Sequence, residues 1–343
     1  LYSYAWIVYG FLYIPIQLKT VASIIQIVLP GMNMMAAMLI GVTVAVLYTS
    51  FSGMKGASAV GRVVCIGIYI LLIIFTVTTL SGFGGLGGLF EQLPENYNSM
   101  GNMPTQRIIA WILGGCISTA VMQAVLQPLL AAKSPQAART GSILGYLIAA
   151  PICFFTAICG MLSKASGADL GDGSTAFAYA IKTFSSPVFA GIIFAFATMI
   201  IAATMATMML ATGTIITNIY KTEIDRNAGD QKVLKISKSV TFIFAYLTLI
   251  PAFLIPSQSL TNLFLTLQHV AAAPVSFSIL AGLMWKRCTK QGAFWSMLTG
   301  MIVGISWMLL GLTDKMEAVY PVVVVTYSVG IIVSLMTSKK EIV

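Results

Sequence analysis

Apolar residues in this chain run uninterrupted for about 20 positions at a time, again and again, and each run could cross a hydrocarbon core of about 30 Å. The runs end at Gly, Pro or charged residues. They predict ten membrane-spanning helices, near residues 4–29, 32–50, 62–82, 107–131, 140–163, 187–217, 239–256, 259–284, 291–312 and 318–337. The first, sixth and eighth are long enough to tilt or to contain a break. The predicted fold class is an all-α polytopic membrane protein.

Composition supports that class and excludes a soluble one. Hydrophobic residues make up 58% of the 343 and charged residues 8%, with a mean hydropathy of +0.93. A soluble domain carries about 25% charged residues. The five cysteines have no metal-ligand spacing and read as small core hydrophobes. Leu1 stands almost at the start of an apolar helix, with no initiator Met and no signal-peptide pattern. The expectation is a chain that begins part-way into a longer protein.

Charge then assigns sides. Of the 19 basic residues, 14 fall on one set of alternate loops and ends: Lys55, Arg62, Lys133, Arg139, the Lys221–Lys238 group, the Lys286–Lys290 group, Lys339 and Lys340. Only Arg107, Lys164, Lys182 and Lys315 fall on the other. The positive-inside rule places the first set, and with it the C-terminus, in the cytoplasm of a multi-pass cell-membrane protein. The net charge of +9 is thereby a topology signal and needs no nucleic-acid partner. All ten acidic residues lie in loops or the tail, which leaves Lys19 and His269 as the buried ionisable groups. Proton-coupled carriers usually relay protons through buried Asp, Glu or His, so carboxylate coupling is not expected.

An intramembrane site needs oxygen or amide groups in an apolar wall, often beside interrupted helices. The sixth span is richest, with Thr198, Thr204, Thr207, Thr212, Thr214 and Thr217. Thr204 and Thr207 share a helical face, where they either offer hydroxyls to a hard cation or back-bond to their own helix. The fourth span carries Gly114-Gly115, Ser118, Thr119, Gln123, Gln127 and Pro128. Its Gly pair either unwinds to expose backbone or allows close helix packing. The eighth holds Thr266, Gln268, His269 and Pro274; His269 reads as a solute donor, an interhelical hydrogen bond or a titrating group. Helix one holds Pro15, Gln17 and Lys19, the last either facing a solute carboxylate or snorkelling. The glycine-rich stretch 82–88 lacks a GK[ST] ending and reads as a flexible external connection. No nucleophile, base and metal constellation supports an enzyme.

Four segments in order carry a resemblance. Tyr48-Thr49-Ser50-Phe51-Ser52-Gly53-Met54-Lys55-Gly56 resembles a "YT-x-x-GG-L-K-A" turn, and the stretch from Gln127 through Ala131-Ala132-Lys133-Ser134 to Arg139 resembles "Q-R-x-x-AAKS-x-x-x-A-R". Ala203-Thr204-Met205-Ala206-Thr207 to Lys221 resembles "S-T-A-D-S … S-x-I-T-x-D-I-Y-K", and Pro274 to Ala293 resembles "P … G-L-F-W-K-R-x-T-x-x-G-A". Together these resemble the solute–sodium symporter family, carriers of proline, pantothenate, sialic acid, monocarboxylates and sugars.

The resemblance implies a leucine-transporter-like fold of two inverted five-helix repeats. Residues 1–82 would be the last three helices of repeat one, 107–284 repeat two, and 285–343 peripheral helices, with the first helices missing. It implies a sodium site at the Ile200 carbonyl, position 203, Thr204 and Thr207, where Ala203 replaces a hydroxyl residue. It implies a solute site among Gln17, Lys19, Gly115, Ser118, Thr119, Gln123, Thr266, Gln268 and His269. The acidic residue that supports a second sodium in some members is absent around Val60, Gly61 and Arg62, so a second ion is not expected. Ser118, Gly115 and Ala149 stand where the sugar carriers have Tyr, Asn and Lys, which disfavours a sugar. The expected function is sodium-coupled symport of a small polar solute, with no cofactor beyond the coupling ion and no obligatory protein partner. The alternatives are a proton-coupled or uncoupled carrier of the same fold, and a sensory membrane module.

Overall fold

The computed structural model describes residues 1–98, 101, 103–171, 173, 175–254 and 260–338; of residues 50–60, 98, 261 and 314 it describes the backbone alone. Expectations that rest on the side chains of 50–60, on Asp172, on the Asp314 side chain and on the tail from Lys339 to Val343 lie outside the described residues.

Helix covers most of every predicted run, and no strand occurs among the described residues. The helices are α1 (Tyr2–Val28), α2 (Met34–Gly82), α3 (Gly85–Glu91), α4 (Thr105–Val121), α5 (Gln123–Leu130), α6 (Pro135–Ala165) and α7 (Ala176–Phe184). They continue with α8 (Pro187–Ile219), α9 (Asp230–Leu247), α10 (Leu249–Leu254), α11 (Leu260–Leu267), α12 (Ala273–Met284), α13 (Lys290–Leu309) and α14 (Val319–Thr337). Among the described residues, 8 segments are long and apolar enough to cross a membrane, and α4 with α5 makes a ninth as a span bent by 43°. Met34–Thr49 is a shorter apolar segment. The protein is an all-α polytopic membrane protein.

Three local expectations are corrected. The second and third runs join in one continuous helix, α2, where a connection was expected around 51–61. No proline falls between Pro30 and Pro94, so nothing in the interval removes a helical N–H. Glycines 53, 56 and 61 weaken the helix there, by about 1 kcal/mol each, without breaking it. The glycine-rich stretch 82–88 contains a helix start where a plain connection was expected: Gly84 and Gly85 take positive φ, and α3 follows with Leu89 fully buried. Finally, α7 forms in a connection where no helix was expected; at 9 residues, with Ala178, Ala180 and Ile181 buried, it is too short to read as a span.

The chain divides into two units. One comprises Leu1–Tyr13, Met103–Leu130 and Thr261–Val343, the other Ile14–Asn102 and Ala131–Leu260. In the second, α2 packs along α8, and the Phe196 ring occupies the space a side chain on Gly67 would need. Ile68, Leu72, Phe75, Ile158, Leu162, Ile181 and Ile193 form its buried core. In the first, α13 and α14 pair closely with α12, and α4 packs against α12 around Ala110, Ala273, Val319 and Val322. Small residues at such contacts bring backbones together, which matters in lipid, where apolar burial gives helices little reason to associate.

Candidate functional site

The break in the fourth span is the first feature of the site. α4 ends at Val121, Met122 adopts an extended conformation (φ −68°, ψ 123°), and α5 restarts at Gln123. The Met122 carbonyl accepts from Val125 N at 2.9 Å and Leu126 N at 3.0 Å, so it opens α5. The last-turn carbonyls of α4 lose their helical partners at this point. The Gly pair does not unwind: Gly114 and Gly115 stay helical, and the interruption falls two turns later. Around it, Ser118 is fully buried with its hydroxyl donating to the Gly115 carbonyl at 3.1 Å, and Thr119 is half-buried. Gln123 is half-buried and accepts from the Tyr2 hydroxyl at 3.1 Å.

The eighth span contributes a π-helical turn over Gln268–Ala272. Pro274, at the start of α12, has no N–H for the Val270 carbonyl, and the Ala273 N–H reaches back five residues to Gln268 O. The wide turn places both Gln268 and His269 in the interior. The His269 ring lies against Gly114: a Cβ built there would be 2.5 Å from Nε2. Nε2 completes no hydrogen bond among the described residues. Thr266 is half-buried and donates to the Asn262 carbonyl at 2.8 Å.

Here the acidic residues depart from expectation. Glu317, between α13 and α14, is 9% exposed, and its Oε2 lies 3.7 Å from His269 Nδ1. Its Oε1 lies 3.3 Å from Arg107 Nε. A carboxylate therefore does reach the buried histidine, and it joins Lys19 and His269 among the buried ionisable groups. Burial pushes the Glu317 carboxyl above the usual range, with Arg107 partly opposing the shift. In sequence Glu317 stands beside Asp314 and Lys315 and reads as an ordinary loop acid. Its contact with His269 spans 48 residues, and no local pattern encodes it.

The other unit holds the expected ion ligands. α8 runs unbroken through Ile200, Ala203, Thr204 and Thr207. The Thr204 hydroxyl donates to the Ile200 carbonyl at 3.0 Å, and the Thr207 hydroxyl to the Ala203 carbonyl at 2.9 Å. Both are back-bonds to a carbonyl four residues earlier on the same helix, and each leaves the hydroxyl oxygen beside a backbone oxygen on one face. In α1, which continues through Pro15, Lys19 is buried and Gln17 half-buried, and both are engaged with neighbours. The candidates thus fall in two sets: Gly115, Ser118, Thr119, Gln123, Thr266, Gln268 and His269 in one unit, Gln17, Lys19 and the α8 residues in the other. Among the described residues, no group of three or more His, Cys, Asp or Glu converges as for a metal ion.

A broken apolar span beside a π-turned one is a carrier-like arrangement, and comparison with known proteins is direct. A profile of the sodium:solute symporter family matches residues 1–300. The chain belongs to that family. It is 24% identical over 303 residues to the high-affinity proline transporter PutP of Bacillus subtilis (strain 168), covering 85% of this chain and 63% of that protein. To sodium/glucose cotransporter 4 of Mus musculus it is 23% identical, covering 89% of this chain and 51% of the relative. To the sodium/pantothenate symporter of Escherichia coli (strain K12) it is 23% identical, covering 78% and 56%. The chain therefore spans between half and two-thirds of these relatives' length. Two segments of the symporter-family resemblance turn out to be helix starts. Ser134 caps α6 by accepting from Ala137 N at 3.1 Å, with Pro135 at the first helical position. Thr289 caps α13 by accepting from Gly292 N at 3.1 Å.

Proposed function

We propose that the protein is a carrier which moves a small polar solute into the cytoplasm together with sodium, and that it performs no catalysis. The observation that carries this reading is the break at Met122. A helix end at membrane depth, with the Ser118 and Gln123 side chains beside it, interrupts an otherwise apolar span and supplies polar groups for a solute. Gly115, Thr119, Thr266, Gln268 and His269 complete that wall; Gln17 and Lys19 of α1 are the solute candidates of the other unit. Sodium uses the Ile200 carbonyl and the Thr204 hydroxyl, with Thr207 as a further oxygen if its hydroxyl rotates away from Ala203. Relatives named for proline, glucose and pantothenate support solute–sodium coupling; the residues at 115, 118 and 149 favour a non-sugar solute. The inverted-repeat division at residues 1–82 and 107–284 belongs to the same reading.

The 14-to-4 split of basic residues supports a cytoplasmic C-terminus. That count takes residues 32–50 and 62–82 as two crossings, which requires the chain to reverse between them, whereas α2 is continuous over its 49 residues, about 74 Å at 1.5 Å per residue. The test is uptake of labelled solutes into proteoliposomes under an inward sodium gradient and under an equal choline gradient. Equal uptake in both would remove sodium from the mechanism. The proximity of Glu317 to His269 favours one second reading, a carrier driven by protons. Uptake that follows an imposed pH gradient in choline would select it.

A further inference from the structure

α8 and α9 form a hairpin within one unit. Thr241 occupies the space that a side chain on Gly213 would need, so the two helices touch there. From the next residue toward the connection they leave a groove of about 500 Å³, open along one side. α8 and its last turn line it with positions 214, 217, 218 and 221, and α9 with positions 230, 233, 234 and 237. The spacing is i, i+3, i+4, i+7 on both, so each helix presents a single face.

The two ends of the groove differ in chemistry. Toward Gly213 the wall is apolar: the Thr214 and Thr217 hydroxyls are already donated to the Leu210 and Gly213 carbonyls at 2.8 and 2.7 Å, and Val233 and Leu234 stand across from them. At the connection stand two opposite charges, Lys221 on the π-helical turn Tyr220–Ile224 and Asp230 at the start of α9. Their neighbours are engaged elsewhere. Lys232 Nζ donates to Asp225 Oδ2 at 2.8 Å, and Arg226 Nε donates to the Thr222 carbonyl at 2.9 Å. Lys221 and Asp230 are both exposed, and neither forms an ion pair among the described residues.

Charge also places this end of the hairpin. Five basic residues lie from Lys221 to Lys238, against two, Lys164 and Lys182, in the preceding connection, so the positive-inside rule puts the charged end at the cytoplasmic surface. From position 221 to position 214 the groove runs about 10 Å at 1.5 Å per residue. The headgroup layer beside each face of a bilayer core is about 5–8 Å thick. The groove therefore reaches from the headgroups into the first part of the hydrocarbon, and basic pockets between helices on the cytoplasmic side suit lipid headgroups.

We propose that this groove holds a phospholipid of the inner leaflet whose headgroup carries a primary ammonium, of the phosphatidylethanolamine class. The lipid phosphate takes Lys221, with the Asn218 amide as a second donor, and its ammonium takes Asp230. The first methylenes of an acyl chain lie along Val233 and Leu234. A choline headgroup has no N–H for Asp230, and a glycerol headgroup brings no cation to it. The inference is independent of the solute and sodium assignments; it rests on the membrane-spanning fold and on the charge split for its leaflet.

The test titrates the purified, delipidated full chain with the dioleoyl forms of phosphatidylethanolamine, phosphatidylcholine and phosphatidylglycerol, and reads retained lipid by native mass spectrometry. Phosphatidylethanolamine is expected to be retained at about tenfold lower concentration than the other two. Asp230→Asn is expected to bring the three within about twofold of one another, and Lys221→Gln to weaken phosphatidylethanolamine retention about tenfold. Arg226→Gln, which removes a charge from the same connection outside the groove, is expected to leave the preference in place. Soluble glycerophosphoethanolamine is expected not to displace the lipid, because it has no chains for the apolar wall. Equal retention of the three lipids, tighter retention of phosphatidylglycerol, a preference that survives Asp230→Asn, unchanged retention in Lys221→Gln, loss of the preference in Arg226→Gln, or displacement by the soluble headgroup would each overturn the proposal. The lipid panel on the unmodified protein decides the matter even where a variant fails to fold.

Discussion

The His269 ring fills the space that a side chain on Gly114 would occupy, with Nε2 2.5 Å from that vacant Cβ position. The residue next to it, Gly115, has nothing within 4 Å of its own Cβ position. Gly114→Ala should therefore push the π turn away from α4. An overpacked contact of this kind costs about 1–3 kcal/mol, and uptake is expected to fall with it. Gly115→Ala should hold or slightly raise stability, by about 0.5–1 kcal/mol, since alanine stiffens a half-buried helical site with room for its Cβ. Equal midpoints for the two variants would show that His269 yields without cost.

The ion-site prediction rests on oxygen number. Thr204 supplies a hydroxyl beside the Ile200 carbonyl, and Ala203 supplies none. Thr204→Val should abolish sodium dependence, and Ala203→Ser should lower the sodium concentration for half-maximal uptake. A lost or gained hydroxyl ligand is worth about 1–3 kcal/mol, roughly five- to a hundredfold in affinity. An unchanged sodium curve in Thr204→Val would move the ion elsewhere.

At the broken span, Gln123 is expected to contact the solute. Gln123→Ala should raise KM several-fold while the sodium curve stays where it is. A fall in kcat at constant KM would instead assign Gln123, through its bond to the Tyr2 hydroxyl, to holding the break in shape.

Acid should act on Glu317 in a definite direction. Its carboxyl is raised in the folded protein, so the folded state holds the proton more tightly than the unfolded chain does. That contribution is fully present below the unfolded carboxyl value, about 4.3, and is lost as pH rises through the folded value. Cooling the comparison to one pair, the midpoint of the unmodified protein should gain on that of Glu317→Gln between about pH 7 and pH 4. Asp225 carries the opposite sign, because its hydrogen bond from Lys232 lowers it and favours the folded state at higher pH. A constant difference between the two proteins across that range would contradict the assignment.

The orientation follows from charge and is checked by labelling. In a background without the native cysteines, Asp169→Cys should react with an impermeant maleimide on intact cells, and Gly229→Cys only after permeabilisation. Reversed labelling would overturn both the sidedness and the inner-leaflet placement of the Lys221–Asp230 groove.

The positions of the membrane-crossing runs were legible in the sequence because a bilayer imposes one requirement, about 20 apolar residues in a row, and this requirement is local. The caps at Ser134 and Thr289 are equally local, between residues three apart, although in the sequence those residues were read only as motif positions. Polar residues at membrane depth could be picked out for the same reason, including Ser118, Gln123, Thr204 and His269. What the sequence left open was which of them meet. Of the two readings open for the Gly pair, close packing holds, with Gly114 against His269, and the break lies at Met122. Glu317 reads as a loop acid, yet the folded chain returns it to Arg107 and His269 across 210 and 48 residues. Tertiary structure decided these pairings, because hydropathy and capping act within a few residues, whereas an ion pair depends on where distant helix ends come to rest.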